Sequence, residues 1–260
     1  RIRYQSGQFL TLVFKKKDHD ERRAYSISST PFLKEPLTIT VKRIDNGEYS
    51  RYLFDSVKSG DTLYTIGASG YFTLPEDVSA YNHFFFLAAG SGIAPILPLI
   101  KTLLHTNLMV NITLIYSNRS TEDTIFMDRI LQLIEEFPDR LDVDFLFSSS
   151  QRLLKARLTK ALLVQYLNEK VGNKLRTRFY ICGPFGYMQM VTITLLTEGI
   201  PVENIRKENF STEKPVVKGQ PPDVNPHIVH VDVKGKHVQL TVQYPHTILQ
   251  AAKQAGPKDR

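Results

Sequence analysis

The pattern of hydrophobic and polar positions changes near Pro75. Before this point, β-rich segments with alternating or mostly apolar residues cover residues 8–14, 24–28, 37–41 and 60–66. Turn residues separate these segments, and Asp45-Asn46-Gly47 is a strong turn signal. Many short strands at this spacing predict a small antiparallel barrel.

After Pro75, apolar strand patterns alternate with helical patterns. Strands are expected at residues 83–89, 110–116, 141–147 and 179–182. Helices are expected at residues 95–105, 126–136, 158–168 and 188–198. This alternation predicts a parallel sheet with helices on both faces, and the ligand of such a sheet lies at the carboxyl ends of its strands.

The last part of the chain has a different organisation. Residues 211–226 are polar and proline-rich, which predicts a linker. Residues 227–233 and 238–242 flank Gly235 as a predicted hairpin, and residues 248–255 form a helical pattern. The predicted divisions are a barrel at 1–76, an α/β domain at 77–212, a linker at 213–226, and at 227–260 the start of a domain too short to bury its own core.

Cysteine and histidine content limits metal and disulfide chemistry. The single cysteine, Cys182, excludes an internal disulfide and any cysteine-ligated zinc or iron–sulfur site built from this chain alone. His227 and His230 form the closest histidine pair, but in a strand their odd spacing points them to opposite faces. No metal site is predicted.

Charge and hydropathy limit the partners. The chain has 33 Lys and Arg against 26 Asp and Glu, without a basic run interleaved with aromatic residues. We expect a solvated basic surface rather than nucleic-acid binding. No uninterrupted apolar stretch reaches the length of a membrane helix, and no secretory signal is recognised. We therefore expect no membrane interaction and a cytoplasmic location.

The first candidate motif is Arg23-Ala24-Tyr25-Ser26 on a predicted strand. Arg23 and Tyr25 are two positions apart, so they point to the same side of the strand. A guanidinium suits a phosphate, and a tyrosine ring suits stacking on a flat heterocycle. The alternative is an ordinary strand that carries these residues by chance.

The second motif is Gly47-Glu48-Tyr49-Ser50, before a helix expected at residues 50–56. With Ser50 as the N-cap, the first backbone N–H groups of this helix would form a phosphate cradle. The alternative is an ordinary capped helix.

The third motif, Gly90-Ser91-Gly92-Ile93-Ala94-Pro95, lies between a buried strand and a helix. Glycines there let the backbone approach a ligand closely, and the helix N-terminus favours an anion. The third glycine of the usual dinucleotide fingerprint is missing, so this is not the common Rossmann motif.

Two more motifs end predicted strands. Tyr116-Ser117-Asn118-Arg119 presents hydroxyl and guanidinium groups where an NAD site usually has an acid, and the nearest acid is Glu122. This favours NADP(H) over NAD(H). Cys182-Gly183-Pro184 ends the last strand, with Met188 in the helix that follows. Cys182 is interpreted as lining the nicotinamide site, and the alternative is a buried small residue.

These five motifs, in this order, resemble the ferredoxin–NADP reductase superfamily over about residues 7–210. The resemblance implies a Greek-key FAD-binding barrel followed by an NAD(P)-binding α/β domain. Arg23 would hold the flavin pyrophosphate together with residues 47–50, and Tyr25 and Ser26 would line the isoalloxazine. Residues 90–95 and 182–184 are similar to the two nicotinamide-side signatures.

The resemblance also implies roles outside the motifs. Thr40, Val41 and Lys42 would continue the FAD contacts, and Phe210 would lie over the flavin. Ser26 and Cys182 would flank the reacting atoms. Glu208 would be a proton-handling group.

The tail resembles the opening of a plant-type [2Fe–2S] ferredoxin domain, on Gly235, Ile248-Leu249, Ala251-Ala252 and Gly256. A reductase followed by such a domain is similar to the reductase components of multicomponent oxygenases, such as phenylacetyl-CoA epoxidase. Hydride from NAD(P)H would reach FAD, and electrons would pass through a cluster present only in the full-length protein to an oxygenase or other acceptor protein. The alternatives are a stand-alone flavin or ferredoxin reductase and a non-catalytic nucleotide-binding regulator.

Overall fold

A computed structural model describes residues 2–106, 109–150, 156–210, 223–233 and 236–255. The chain divides into two compact units, Arg1–Ser211 and Thr212–Arg260, and each is described by itself. Within the described residues, no helix is both long and apolar enough to cross a membrane.

The first unit begins with an antiparallel sheet of three strands, in the order β2-β1-β3. Its strands are β1 (Phe9–Lys15), β2 (Asp20–Ser26) and β3 (Tyr64–Ser69). Leu10, Leu12 and Ile27 form its buried core. Between β2 and β3 lies the short helix α1 (Glu48–Arg51), which continues as a π-helical turn, Tyr52–Ser56. This half has the antiparallel, barrel-like character that the sequence predicts.

The prediction of a strand at residues 37–41 is wrong. The segment makes a single β-bridge, between Ile27 and Ile39. The Thr38 carbonyl accepts a hydrogen bond from the Ser28 N–H, and the Thr40 N–H donates one to the Ser26 carbonyl. Leu37 and Thr38 are exposed, so the alternating pattern of this segment is not matched by burial of one face.

The second half of this unit is a five-stranded parallel sheet with the order β6-β5-β4-β7-β8. Its strands are β4 (His83–Ala89), β5 (Asn111–Asn118), β6 (Leu141–Phe147), β7 (Thr177–Cys182) and β8 (Ile205–Glu208). The sequence pattern did not predict β8, because an edge strand with the exposed residues Arg206 and Lys207 lacks an apolar run.

Helices cover both faces of the parallel sheet, as predicted. They are α2 (Ile93–His105), α3 (Met127–Glu136), α4 (Lys160–Lys170) and α5 (Phe185–Thr197). Phe84 and Phe86 of β4 pack in one core with α2 and α3. Phe85 and Leu87 pack in the other core with α4 and α5. The apolar run of β4 is continuous because successive side chains enter different cores.

The second unit contains an antiparallel hairpin and one helix. Strands β9 (His227–Val233) and β10 (Lys236–Val242) pair, and α6 (Ile248–Ala255) follows. Leu240 and Ala251 are buried. The predicted turn at Gly235 and most of the predicted linker lie outside the described residues.

Candidate functional site

A cavity of about 1150 Å³ opens at the carboxyl ends of β4, β5 and β7. This volume exceeds the range of roughly 300–1,000 Å³ usual for one small-molecule ligand. Its wall includes Thr40, Val41, Lys42, Ala89, Gly90, Ser91, Ser117, Asn118, Arg119, Asp123, Arg157, Gly183, Pro184, Phe185, Gly186, Tyr187, Met190 and Phe210. The cavity therefore joins residues from the antiparallel half with residues from the parallel sheet.

The third motif forms a tight turn at the cavity wall. Gly90–Gly92 is a 3-10 turn that leads into α2, and Gly90 has a φ of 54°. A Cβ atom on Gly92 would lie 2.1 Å from the carbonyl oxygen of Cys182. The Tyr116 hydroxyl donates a hydrogen bond of 3.0 Å to the Gly90 carbonyl. Glycine is therefore required where the end of β4 approaches the end of β7.

Hydrogen-bonding groups from the end of β5 line the same cavity. Ser117 Oγ and Asn118 Nδ2 are buried and make no hydrogen bond of normal geometry among the described residues, although the Ser117 side chain faces the Tyr187 hydroxyl and the Asn118 side chain faces the Tyr116 hydroxyl. Asn118 is 9% exposed, and Arg119 beside it is exposed. Buried donors without a partner are costly, so these groups fit a site that is completed by a polar ligand such as a nucleotide.

Met188 was the residue of α5 expected at the site, but its neighbours line the cavity instead. Met188 is 5% exposed and packs in the core with Val191. Helix α5 begins at Phe185, so its face toward the cavity carries Tyr187 and Met190. The Tyr187 hydroxyl donates to the Ala88 carbonyl at 3.3 Å, and burial raises the pKa of Tyr187. The phenol therefore stays protonated at neutral pH.

Cys182 is fully buried in the core and is not on the cavity wall. Burial raises the pKa of its thiol, and the nearby Glu208 carboxylate raises it further. Glu208 pairs with Cys182 across β7 and β8, and burial raises its pKa as well. At this edge Gly183 and Pro184, rather than the Cys182 side chain, meet the cavity.

Several cavity residues come from outside the predicted motifs. Asp123 follows β5, and Arg157 precedes α4. Neither has a recognisable local pattern in the sequence, because each reaches the wall through the packing of its loop. Thr40, Val41, Lys42 and Phe210, which were expected near the flavin, also lie on this wall, and Phe210 is 44% exposed.

The structure brings the first and second motifs together. The Arg23 guanidinium lies 4.7 Å from the ring centroid of Tyr49. Arg23 Nη2 also donates to Glu21 Oε2 at 2.6 Å, and Lys16 Nζ lies 5.4 Å from the same ring. Each cation has a carboxylate partner, Glu21 for Arg23 and Glu48 for Lys16, so a phosphate bound beside this ring would replace carboxylates as the partner of the two cations.

The expectation that Ser50 is the N-cap of its helix is wrong. Gly47 is the N-cap of α1, and Ser50 lies inside the helix. Ser50 Oγ donates to the Gly47 carbonyl at 3.1 Å and accepts from the Ile44 N–H at 3.2 Å. The Ser50 side chain therefore stabilises the turn before α1 from within the helix. Glu48, the first residue of the helix, is exposed.

Tyr25 and Ser26 end β2, away from the cavity wall. Ser26 is 7% exposed, and Ala24 is exposed. Tyr25 is half-buried against the small core of the antiparallel sheet, and this burial raises its pKa. In the residues that the structure describes, no group of three or more His, Cys, Asp or Glu side chains is arranged to hold a metal ion.

Two family models match the chain. The family described as "Oxidoreductase FAD-binding domain" matches residues 1–74. The family described as "Oxidoreductase NAD-binding domain" matches residues 86–192. The two matches cover the antiparallel half and most of the parallel-sheet half.

Two curated relatives are components of a monooxygenase and of an epoxidase. The ferredoxin reductase component of 3-ketosteroid-9-alpha-monooxygenase from Mycobacterium tuberculosis is 34% identical over 82% of this chain and 56% of that protein. One subunit of 1,2-phenylacetyl-CoA epoxidase from Escherichia coli is 31% identical over 83% of this chain and 61% of that protein. The chain thus spans less than two thirds of the length of these relatives.

Solved structures share the fold. A ferredoxin NADP+ reductase from Neisseria gonorrhoeae, with bound FAD and NADP, matches with a TM-score of 0.66 and 26% identity, over 81% of this chain and 88% of that chain. The CS-b5R domains of human Ncb5or match with a TM-score of 0.69 and 21% identity, over 79% and 61% of the two chains.

An FAD-binding domain followed by an NAD-binding domain defines a class of flavin-dependent oxidoreductases. Within that class, this chain belongs to the ferredoxin–NADP reductase superfamily. The family and fold that the motifs predict are confirmed.

Proposed function

We propose that this chain is an electron-transfer reductase that oxidises NAD(P)H through FAD and passes electrons to a protein acceptor, such as an oxygenase. One observation carries the proposal: a single cavity is lined by Thr40–Lys42 of the FAD-binding half and by the Gly90 turn of the NAD-binding half. A cavity shared by the two halves would bring the flavin ring of FAD and the nicotinamide ring of NAD(P)H into contact. The relatives named above belong to oxygenase systems, which supports the choice of acceptor.

When bound, FAD supplies the hydride-accepting ring and separates a two-electron donor from one-electron acceptors. The chain's own residues bind and orient the nucleotides. Arg23 and Lys16 would exchange their carboxylate partners, Glu21 and Glu48, for the flavin pyrophosphate. The Gly90–Gly92 turn would let the nicotinamide nucleotide approach the backbone. Phe210, on the cavity wall, would cover the flavin ring and exclude water until the nicotinamide arrives.

The proposed coenzyme is NADP(H) rather than NAD(H). Arg119 and Arg157 both line the cavity, and two guanidinium groups suit a 2′-phosphate. Asp123 lies on the same wall and would repel such a phosphate if it came into direct contact. The coenzymes of the solved structures differ, with NADP in the Neisseria reductase and NAD+ in the human Ncb5or domains, so the two arginines alone support this choice.

We further propose that the second unit begins a ferredoxin-like domain in the same polypeptide. Its hairpin and helix support this assignment. Cys182 is the only cysteine in the chain, so these 260 residues cannot hold a [2Fe–2S] cluster by themselves.

An absorption spectrum recorded during anaerobic titration with NADPH tests the proposal. The protein, loaded with FAD, is expected to show flavin bands that bleach on addition of NADPH and to reduce an added ferredoxin or cytochrome. A protein whose flavin bleaches but which reduces neither acceptor would be a stand-alone flavin reductase. A protein that stays colourless after FAD is added would be a nucleotide-binding regulator, and the reductase proposal would be abandoned.

A further inference from the structure

An ion pair between a buried lysine and a partly exposed glutamate connects the two halves of the first unit. Lys101 lies in α2, and Glu35 lies in the loop after β2. Lys101 Nζ is 2.6 Å from Glu35 Oε1 and 2.7 Å from Glu35 Oε2, and Lys101 is 6% exposed. A lysine buried to this degree needs a partner, because an unpaired buried charge is strongly unfavourable. The position of α2 is thereby tied to that of the loop.

A cluster of three hydroxyl groups extends the connection. The hydroxyl oxygens of Ser6, Thr30 and Thr102 lie 2.8 to 2.9 Å from one another. Thr102 also donates to the Pro98 carbonyl of its own helix. The Thr30 N–H donates to Glu35 Oε2 at 2.7 Å, so the hydroxyl cluster and the ion pair form one network.

The network joins helix α2, which follows the turn on the cavity wall, to the loop that follows the first motif. Helix α2 begins directly after the Gly90–Gly92 turn on the cavity wall. The loop that holds Thr30 and Glu35 begins directly after Ser26, the last residue of the first motif. A shift of α2 against this loop would therefore move the nicotinamide-side turn relative to the flavin-side strand.

We propose that Lys101 and Glu35 are positioning residues for hydride transfer, which fix the distance between the two nucleotide sites. The inference rests on the function proposed above. The transfer moves two electrons and one proton, as hydride, from NAD(P)H to FAD, which leaves NAD(P)+ and the reduced flavin. Its rate depends steeply on geometry, and a misplacement of about 1 Å can cost about 100-fold. A pair of this kind acts on the rate rather than on the affinity for either nucleotide.

Among the described residues, the Lys101–Glu35 pair connects the antiparallel half to the parallel-sheet half, whereas the Lys170 ion pair lies within one half. Lys170 pairs with Asp142 and Asp144, and all three residues belong to the parallel-sheet half. Lys170 is likewise partly buried, with a side-chain exposure of 21%. In the part of the chain that the structure describes, the ion-pair partners of Lys170 do not lie on the cavity wall. Lys170→Met therefore controls for the loss of a partly buried lysine from an ion pair within one half of the unit.

The test uses the FAD-loaded protein in single-turnover flavin reduction by NADPH. The variants are Lys101→Met, the double variant Lys101→Met/Glu35→Gln, and the conservative Lys101→Arg, with Lys170→Met as the control. The double variant removes both charges and nearly keeps the shapes of both side chains, so the partly buried Glu35 carboxylate is not left without its cation. The limiting reduction rate, the NADPH dissociation constant and the bound FAD are measured for each.

We expect the double variant to lower the limiting rate of flavin reduction by about 10-fold or more, from the geometric sensitivity above. FAD content and the NADPH dissociation constant should change by less than about twofold, because no contact to either nucleotide is removed. Lys101→Arg should recover most of the rate, and Lys170→Met should behave like the parent protein.

A second readout does not depend on activity. In the FAD-free protein, hydrogen exchange at the Thr30 amide, which donates to Glu35, should accelerate in Lys101→Met and not in Lys170→Met. A double variant that reduces flavin as fast as Lys170→Met overturns the positioning role and leaves the reductase function intact. A parent protein whose bound flavin is never reduced by NADPH or NADH overturns the proposed function itself, and the positioning role with it.

Discussion

The guanidinium of Arg23 lies over the ring of Tyr49, 4.7 Å from its centroid, while Arg23 Nη2 donates to Glu21. Arg23 belongs to β2, and Tyr49 belongs to the short helix α1. The stacking therefore holds together two motifs separated by the whole β2–α1 connection. It also keeps the guanidinium in a fixed plane, which reduces the entropy lost when a phosphate binds.

Replacement of Arg23 with alanine is expected to weaken FAD binding. A hydrogen bond to a charged group contributes about 1.5–3 kcal/mol, so the dissociation constant should rise by about 10- to 100-fold. The measurement is titration of the flavin-free protein with FAD, followed by absorbance. Arg22→Ala is the control, since Arg22 is the exposed neighbour on the opposite face of β2. Equal FAD affinity in both variants would reject the pyrophosphate assignment.

Replacement of Arg119 with alanine is expected to change coenzyme preference. Loss of a guanidinium that contacts a 2′-phosphate should raise the KM for NADPH by about 10-fold. The KM for NADH should change by less than about twofold, since NADH has no such phosphate. Steady-state kinetics with both coenzymes measure the effect, and Arg129→Ala, in an exposed ion pair of α3, is the control. Equal changes with both coenzymes would exclude a phosphate contact.

Asn118 is expected to contribute more to binding of the nicotinamide nucleotide than to the stability of the folded protein. Its Nδ2 is buried and makes no hydrogen bond of normal geometry among the described residues, so Asn118→Leu should change the free energy of unfolding by less than about 1 kcal/mol. The same change should raise the KM for the nicotinamide nucleotide by about 5- to 10-fold. Urea denaturation and kinetics measure the two effects. Asn111→Leu, at the exposed start of the same strand, should change neither. A large loss of stability in Asn118→Leu would instead indicate a structural role.

Gly92→Ala should destabilise the protein for a steric reason alone. The φ of Gly92 is −61°, which alanine adopts without strain, but its Cβ would meet the Cys182 carbonyl at 2.1 Å. The strand ends must separate, at an expected cost of about 1–3 kcal/mol. Gly172→Ala is the control, since nothing lies within 4 Å of the new Cβ. Similar urea-unfolding midpoints for the two variants would show that the turn is not tightly packed.

His83 should make stability depend on pH. Burial lowers its pKa from 6.5 to about 4, and its Nε2 lies 3.0 Å from Thr113 Oγ1. Above pH 6.5 the histidine is neutral in both states. Between pH 6.5 and about 4 the unfolded chain binds the extra proton, so stability is lost as the pH falls, by about 3 kcal/mol in total.

The measurement is the free energy of unfolding from pH 7.5 to 4.5, for the parent protein and His83→Gln. Glutamine keeps an amide that can bond Thr113 but does not titrate, so the acid-dependent loss should shrink in this variant. The exposed His246→Gln should retain the parent's pH dependence. Parallel curves for the parent and His83→Gln would show that another group is responsible.

Sequence patterns located the parallel-sheet half well because its strands are buried on both faces. The buried central strand expected at residues 83–89 has its predicted boundaries in the structure. Edge segments were harder: β8 was missed because its exposed lysine and arginine hide the strand pattern. A strand was expected at residues 37–41, where alternation is present but one-sided burial is not.

Motifs located the turns of the site better than its side chains. Gly90–Gly92 and residues 117–119 lie at the cavity, as their positions at strand ends predict. Periodicity does not fix the first residue of a helix, so the face of α5 was assigned through Met188 rather than Tyr187. Asp123 and Arg157 reach the wall only through loop packing, which no local pattern encodes.

The position of β4 at the centre of its sheet has a consequence for synthesis. One edge of β4 pairs with β5, which is made next, but the other edge pairs with β7, which leaves the ribosome only after β5, β6 and the intervening helices. Until then the nascent chain carries an unpaired strand edge with three consecutive phenylalanines, Phe84-Phe85-Phe86. Such edges are prone to aggregation and are bound by chaperones. The strand that ends at the Gly90–Gly92 turn is thus also the part of the growing chain that we expect to be most prone to aggregation.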